Sequence, residues 1–114
     1  MAETGAKLYE TIALFNPELD EEAMGERVQR MESVIGEHGG KMMSVNRWKK
    51  RRLAFPVKKH EEGLYVVLRF VADKALLPDL DYLLRYDEQC LRYLVLDVAR
   101  YPGMVRAKAK GEDK

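Results

Sequence analysis

The hydrophobic positions of this chain recur in two different periods, which predict alternating strands and helices. Residues 7–15 (KLYETIALF) are rich in β-branched and aromatic side chains and end at an Asn-Pro pair, which predicts a strand that stops where a helix can start. Apolar side chains then follow at spacings of four, three and four: Met24, Val28, Met31 and Ile35. This is the stripe of an amphipathic helix. An acidic first turn and a Gly-Gly stop place that helix at residues 17–38.

The second half of the chain repeats the alternation. Residues 41–57 predict a long second strand, in which Pro56 marks an edge position or the end of the strand. Residues 60–63 predict a turn. Residues 64–71 predict a third strand, because Leu64, Val66, Leu68 and Phe70 alternate along it and share one face. A leucine-rich helix over residues 75–86 and a fourth strand over residues 90–98 complete the pattern.

The order of these elements, strand, helix, strand, strand, helix, strand, predicts an α+β chain of the ferredoxin-like βαββαβ class. Right-handed crossovers place two helices on one face of a four-stranded antiparallel sheet. We expect residues 1–100 to form a single domain and residues 101–114, which are charged and poor in apolar side chains, to form a flexible tail. The third strand is apolar on both faces, since Tyr65, Val67 and Val71 alternate with the first set. Either a partner covers the helix-free face, or these are scattered surface side chains that need none.

Charge is distributed unevenly along the chain, although its total is close to neutral. The 114 residues carry 20 basic and 19 acidic side chains, which gives a net charge of +1. Between residues 41 and 60 there is no acidic side chain, and the basic ones are Lys41, Arg47, Lys49, Lys50, Arg51, Arg52, Lys58 and Lys59. Residues 18–38 instead carry seven carboxylates and two arginines. The sequence therefore predicts one basic and one acidic region.

Groups that could support catalysis or hold a metal are sparse. The chain has two histidines and one cysteine, Cys90, with no metal-binding spacing of these residues and no glycine-rich phosphate loop after a strand. We therefore expect no enzyme activity, no metal and no cofactor, and a buried, unreactive Cys90. The N-terminus lacks the apolar stretch of a secretion signal, and no apolar run reaches the roughly 20 residues of a membrane helix. We expect a cytoplasmic protein.

The segment at residues 47–52 carries the strongest functional signal. It places Trp48 beside four consecutive cations, and two more lysines follow at positions 58 and 59. Dense positive charge neutralises phosphates and an aromatic ring stacks on unpaired bases, so this pattern favours RNA binding. The candidate RNA-binding residues are Arg47, Trp48, Lys49, Lys50, Arg51, Arg52, Lys58 and Lys59. The alternatives are that the cations protect an edge strand from aggregation and that Trp48 packs against the sheet.

The same segment resembles a family signature. Residues 48–57 (WKKRRLAFPV) are similar to the signature of bacterial small-subunit ribosomal protein six, which is tryptophan, glycine, two or three basic residues, then Leu-Ala-Tyr-Pro-Ile. Further stretches resemble that family in register: residues 8–11 (LYET), 16–19 (NPEL), 39–40 (GG), 63–66 (GLYV) and 91–95 (LRYLV). The resemblance covers residues 8–98.

The resemblance implies a ferredoxin-like structural protein of the ribosome. It implies binding of the central domain of small-subunit ribosomal RNA together with small-subunit ribosomal protein eighteen, which pairs with this family as a heterodimer and would account for the surplus apolar surface. Arg47 and residues 49–52 would touch the RNA. The chain departs from the signature at Lys49, where the family has glycine, and at Phe55 and Val57, which replace tyrosine and isoleucine. Lys49 removes the backbone freedom of glycine and adds a cation.

Two other functions stay open at the level of sequence. An RNA-recognition motif shares this topology, but its third strand carries aromatic side chains at the stacking positions, which residues 62–69 (EGLYVVLR) lack. A ferredoxin-like regulatory domain that binds a small molecule would need a pocket with convergent polar groups and would not need the basic run.

Overall fold

The computed structural model describes residues 6–99, which follow the predicted order of elements. The elements are β1 (Ala6–Phe15), α1 (Glu21–Glu37), β2 (Lys41–Arg47), β3 (Arg51–Val57), β4 (His60–Asp73), a short 3-10 helix (Lys74–Leu76), α2 (Leu77–Arg85) and β5 (Cys90–Asp97). The antiparallel sheet has the order β2-β4-β1-β5, and β3 also pairs with β4. β2 and β3 are thus two parts of the predicted second strand, and the ferredoxin-like class is confirmed. The expected tail at residues 101–114 lies outside the described residues.

Helix α1 begins later than the hydrophobic pattern predicts, at Glu21 instead of residue 17. The Asn16 side chain accepts a hydrogen bond from the backbone N–H of Glu18 at 2.9 Å, which makes a local turn. The Asp20 side chain then accepts from the backbone N–H of Ala23 at 2.8 Å. This cap satisfies an N–H group that has no partner inside the helix, so the helix starts after Asp20. No helix in the described part of the chain has the length and apolar character needed to cross a membrane.

The core lies between the two helices and one face of the sheet. It joins the predicted helical stripe (Met24, Val28, Met31, Ile35) and two leucines of α2 (Leu80, Leu84) to Tyr9, Ala13, Phe15, Val66, Leu68 and Phe70 of the sheet. Tyr9 pairs with Phe70 and Ala13 with Val66, so these side chains point to the same face. Full burial of a side chain such as Phe or Leu contributes about 1.5–3 kcal/mol. The core therefore holds β4, the strand to which both β2 and β3 are attached, firmly in place.

The helix-free face of the sheet is less open than the alternation predicts. Ile12 and Leu96 are buried there with Tyr65, Val67 and Val98 packed against them. Glu10 is also buried on this face, where Arg69 Nε donates to its Oε2 at 3.2 Å. Among the described residues, the large apolar side chains that remain exposed are Met43, Val45, Phe55, Tyr82, Tyr86 and Leu94. Most of these lie at edges of the sheet or on α2.

Candidate nucleic-acid interface

The predicted second strand is interrupted at its tryptophan. β2 ends at Arg47 and β3 begins at Arg51, and residues 48–50 belong to neither strand. Arg47 pairs with Val66 of β4, whereas Arg51 pairs with Gly63. Four steps along the basic segment therefore oppose three steps along β4, as in a β-bulge. The prediction of one continuous strand was wrong, because the extra residue cannot take part in the ladder of hydrogen bonds.

Trp48 packs against its own chain at this interruption. Its backbone N–H donates to the carbonyl oxygen of Tyr65 at 2.9 Å. The two rings lie 5.1 Å apart between centroids with an interplanar angle of 51°. The guanidinium carbon of Arg51 lies 5.2 Å from the centroid of the Trp48 ring. Trp48 is half-buried as a result, and its ring packs against Tyr65 of the sheet.

The turn that joins β3 to β4 consists of Lys58 and Lys59, not of residues 60–63 as predicted. Val57 pairs with His60 across the turn, and β4 runs from His60 onward. Both lysines have positive φ angles, 49° and 71°. A two-residue hairpin turn of this kind matches the twist of the strands and is typically Asn-Gly. At residues other than glycine the left-handed conformation costs roughly 1–2 kcal/mol.

The candidate RNA-binding residues extend from the end of β2, through the strand break at residues 48–50 and the start of β3, to the tip of the β3–β4 hairpin, and their surroundings differ. Arg47 Nη2 donates to Glu21 Oε1 at the start of α1 at 2.7 Å. Arg52 approaches Glu61 only to 3.9 Å between Nη2 and Oε1, and its side chain is 79% exposed. The remaining lysines are exposed and make no ion pair with the described part of the chain: Lys49, Lys50, Lys58 and Lys59. Among the candidate residues, these four and Arg52 are the cations most accessible to a ligand.

The fold places acidic side chains beside the basic segment, although the segment itself contains none. Glu62 pairs with Arg52 across the β3–β4 ladder, and Glu61 precedes it on β4. Ion pairs between exposed side chains are worth about 0–1 kcal/mol. The Glu21 carboxylate therefore holds Arg47 only weakly and that of Glu61 holds Arg52 only weakly, so that a phosphate group can replace either one.

Arg92 is a further cation beside the hairpin that the sequence analysis missed. It is exposed on β5, and its guanidinium carbon lies 6.0 Å from the centroid of the Phe55 ring on β3. Phe55 is itself 60% exposed. The two residues are far apart along the chain, so no local pattern could have connected them.

The described residues do not favour a metal site or an RNA-binding sheet face. Across residues 6–99 no group of three His, Cys, Asp or Glu side chains could hold a metal ion. Glu10, Ile12, Val67 and Arg69 line the centre of the helix-free sheet face, where RNA-recognition motifs carry stacking aromatic rings. This composition favours an RNA contact through the basic segment over an RNA contact through the sheet face.

Comparisons with known proteins agree on one family. The family model described as Ribosomal protein S6 matches residues 8–97. Small ribosomal subunit protein bS6 of Clostridium acetobutylicum is 37% identical over 92 residues, which cover 81% of this chain and 97% of that relative. The protein of the same name from Clostridium botulinum is 40% identical over 88 residues, which cover 77% of this chain and 94% of the relative. The crystal structure of 30S ribosomal protein S6 from Thermotoga maritima superposes with a TM-score of 0.79 at 27% identity, covering 91% of this chain and 98% of that chain.

Proposed function

The chain belongs to the ribosomal protein S6 family, and we propose that it binds the central domain of small-subunit ribosomal RNA together with small-subunit ribosomal protein eighteen. As a member of that family it is a structural component of the small subunit of the cytoplasmic ribosome and not an enzyme. The RNA contact and the protein partner are the proposed part of this function.

The observation that carries the proposal is the set of exposed cations in the strand break before β3 and on the β3–β4 hairpin. Lys49, Lys50, Lys58 and Lys59 have no ion pair within the described residues, and Arg52 has only a distant one. Phosphates neutralised by such side chains release condensed counterions, which drives association with RNA. Protection of an edge strand does not explain Lys58 and Lys59, because they form the turn and not the exposed edge of a strand.

The hairpin presents its cations to one RNA through its edge and tip. Arg51 and Arg52 are neighbours in β3 and point to opposite sides of it, and Arg51 lies over the Trp48 ring. A strand of RNA that follows this edge of the sheet can meet Arg52 and the two lysines in the strand break, Lys49 and Lys50, without contact to the centre of the sheet. The Trp48 ring then serves to hold Arg51 in position.

A protein partner beside the RNA is supported by the exposed apolar side chains of β2. Met43 and Val45 are 55% and 38% exposed, and they precede the basic segment in the chain. β2 is the terminal strand of the sheet order, so its outer edge is unpaired within the described residues. Unpaired edges with apolar side chains are sites where another chain adds on. If both ligands bind, reciprocity requires that the RNA raises the affinity for the partner by the same factor by which the partner raises the affinity for the RNA.

The salt dependence of RNA affinity tests the assignment of the RNA surface. Arg51→Ala, Arg52→Ala and Lys50→Ala should each lower the slope of log affinity against log salt by about 0.7–0.9, the loss expected for one phosphate contact. The affinity for a central-domain fragment of small-subunit ribosomal RNA would be measured at several salt concentrations. For the exposed Arg52 and Lys50, stability should stay within about 0.5 kcal/mol of the parent.

The control for this experiment is Glu32→Ala, on the exposed side of α1. Glu21 is unsuitable, because its loss would release Arg47 from the ion pair between them. Parental affinity and parental slope in all three variants would show that the basic segment is a solvated strand edge and not the RNA surface.

A further inference from the structure

Two exposed tyrosines at the end of α2 have no part in the proposed RNA contact. Tyr82 and Tyr86 are 67% and 66% exposed, and their ring centroids lie 4.8 Å apart. They are four residues apart and therefore lie on the same side of the helix end. Tyrosine is enriched at protein interfaces because it offers a large apolar area with few rotatable bonds and a polar tip.

Both rings line a groove between α1 and α2. Its volume is about 600 Å³, and Val34 of α1 and Leu83 of α2 supply its apolar lining. Arg27 Nε lies 3.1 Å from Asp87 Oδ2, and both side chains are largely buried. This ion pair ties α1 to the turn after α2. The groove is therefore preformed.

The charge around this groove indicates the charge of a ligand that binds there. Residues 18–38 and 73–89, which contain both helices, carry twelve carboxylates against four lysines and arginines. The groove itself is lined by four carboxylates and two arginines: Glu37, Asp79, Asp87, Glu88, Arg27 and Arg30. An acidic surface repels phosphates and attracts cationic side chains. Tyrosine faces also attract guanidinium and ammonium groups.

We propose that this groove docks a lysine- and arginine-rich segment of a neighbouring protein. Its cationic side chains lie over the rings of Tyr82 and Tyr86 and meet the carboxylates of Glu37 and Glu88. This groove shares no lining residue with the basic segment, whose Arg47 pairs with Glu21 at the opposite end of α1 from Glu37. Docking in this groove therefore does not depend on the RNA contact.

A fluorescently labelled hexa-arginine peptide and the full chain provide a direct test by fluorescence anisotropy. Tyr82→Ala and Tyr86→Ala should each weaken binding about threefold, the factor expected for one exposed cation–π contact. Tyr82→Phe should bind like the parent, because it keeps the ring and loses only the hydroxyl group. Unchanged melting temperatures would show that the exposed alanine variants are folded.

Charge-matched variants separate docking in the groove from general attraction. Glu88→Gln at the groove should weaken binding of hexa-arginine more than Glu32→Gln, which removes the same charge elsewhere on the helical side. Equal losses in these two variants, with no loss in the tyrosine variants, would overturn the proposal.

A photo-crosslinking amino acid in place of Tyr82, in small subunits assembled with the full chain, identifies the occupant. The expected product joins position 82 to a lysine- and arginine-rich protein segment. A crosslink to ribosomal RNA, to residues 101–114 of the same chain, or to nothing would each overturn the proposal. The salt slope for RNA should be unaffected by Tyr82→Ala, so failure of this inference and failure of the RNA assignment give different results.

Discussion

Leu14 occupies the space into which a side chain at Gly63 would extend. A Cβ atom at Gly63 would overlap Leu14 Cδ1 and lie 3.1 Å from its Cγ. Leu14 is buried on β1, and Gly63 of β4 pairs with Arg51, the first residue of β3. The close contact between Leu14 and Gly63 therefore lies where the β3–β4 hairpin, which carries Lys58 and Lys59 at its tip, joins the rest of the sheet.

Gly63→Ala should destabilise the protein by about 1–3 kcal/mol, the usual cost of overpacking. Chemical denaturation would measure the free energy of unfolding. Gly25→Ala is the matched control, because nothing lies within 4 Å of a Cβ at that position of α1. That change should stabilise the helix by about 0.5–1 kcal/mol. Equal stability of Gly63→Ala and the parent would mean that Leu14 moves aside without cost.

Replacing Lys58 and Lys59 together by Asn and Gly should stabilise the fold and weaken RNA binding. Both lysines have positive φ angles that Asn-Gly adopts readily, so the variant should gain up to about 1–2 kcal/mol in unfolding free energy. Loss of two phosphate contacts should lower the salt slope for RNA by about 1.4–1.8. Denaturation and RNA titration would be carried out on the same preparation.

The control for the turn variant is Lys74→Gln, which removes one exposed charge from the 3-10 helix, outside the hairpin. A variant of the turn that is less stable than the parent would contradict the assignment of strain to the two lysines. An unchanged salt slope would remove them from the RNA surface.

Trp48→Ala should destabilise the fold by about 1–2 kcal/mol, because it removes a half-buried ring that contacts Tyr65 and Arg51. Trp48→Phe should recover much of that loss, since it keeps an aromatic contact. RNA affinity of the phenylalanine variant should stay close to that of the parent if the ring positions Arg51 and does not stack on a base. A large loss of affinity in a variant with parental stability would favour stacking on RNA.

Stability should decline at alkaline pH through Cys90. Burial raises the pKa of this thiol from its ordinary value of 9.0 to about 11, with a further contribution from the Asp87 carboxylate. Between these values the unfolded chain releases a proton that the folded chain retains, so the free energy of unfolding falls as pH rises. Cys90→Ala lacks this titration. The difference in unfolding free energy between parent and variant should therefore shrink from about pH 9 to about pH 11 and stay constant below about pH 8. A constant difference across the whole range would show that the thiol ionises equally in both states.

The hydrophobic pattern was sufficient for the class of fold. Met24 and Ile35 on one helical stripe, and Val66 and Phe70 on one face of a strand, reach the same core. Periodicity of this kind is a local property, because helices and strands repeat their side-chain directions every few residues. The candidate basic segment could be located for the same reason, since its cations are consecutive in the sequence.

The break at residues 48–50 and the turn at Lys58 and Lys59 were decided by tertiary structure. Neither lysine is a typical turn residue, and no local signal marks the extra residue beside Trp48. The packing of Trp48 against Tyr65 decides the position of the break, and the pairing of Val57 with His60 of β4 decides the position of the turn. Local preferences are worth tenths of a kcal/mol to about 1 kcal/mol per residue, and tertiary contacts of this kind override them.

The sequence by itself determined the order of elements, the core and which residues carry positive charge. Only the tertiary structure decided which of those charges are available to a ligand. Arg47 meets Glu21, Arg92 joins the hairpin beside Phe55, and Lys58 comes to its tip. The physical reason is that electrostatic interaction depends on distance through space, and the fold brings together charges that are far apart along the chain.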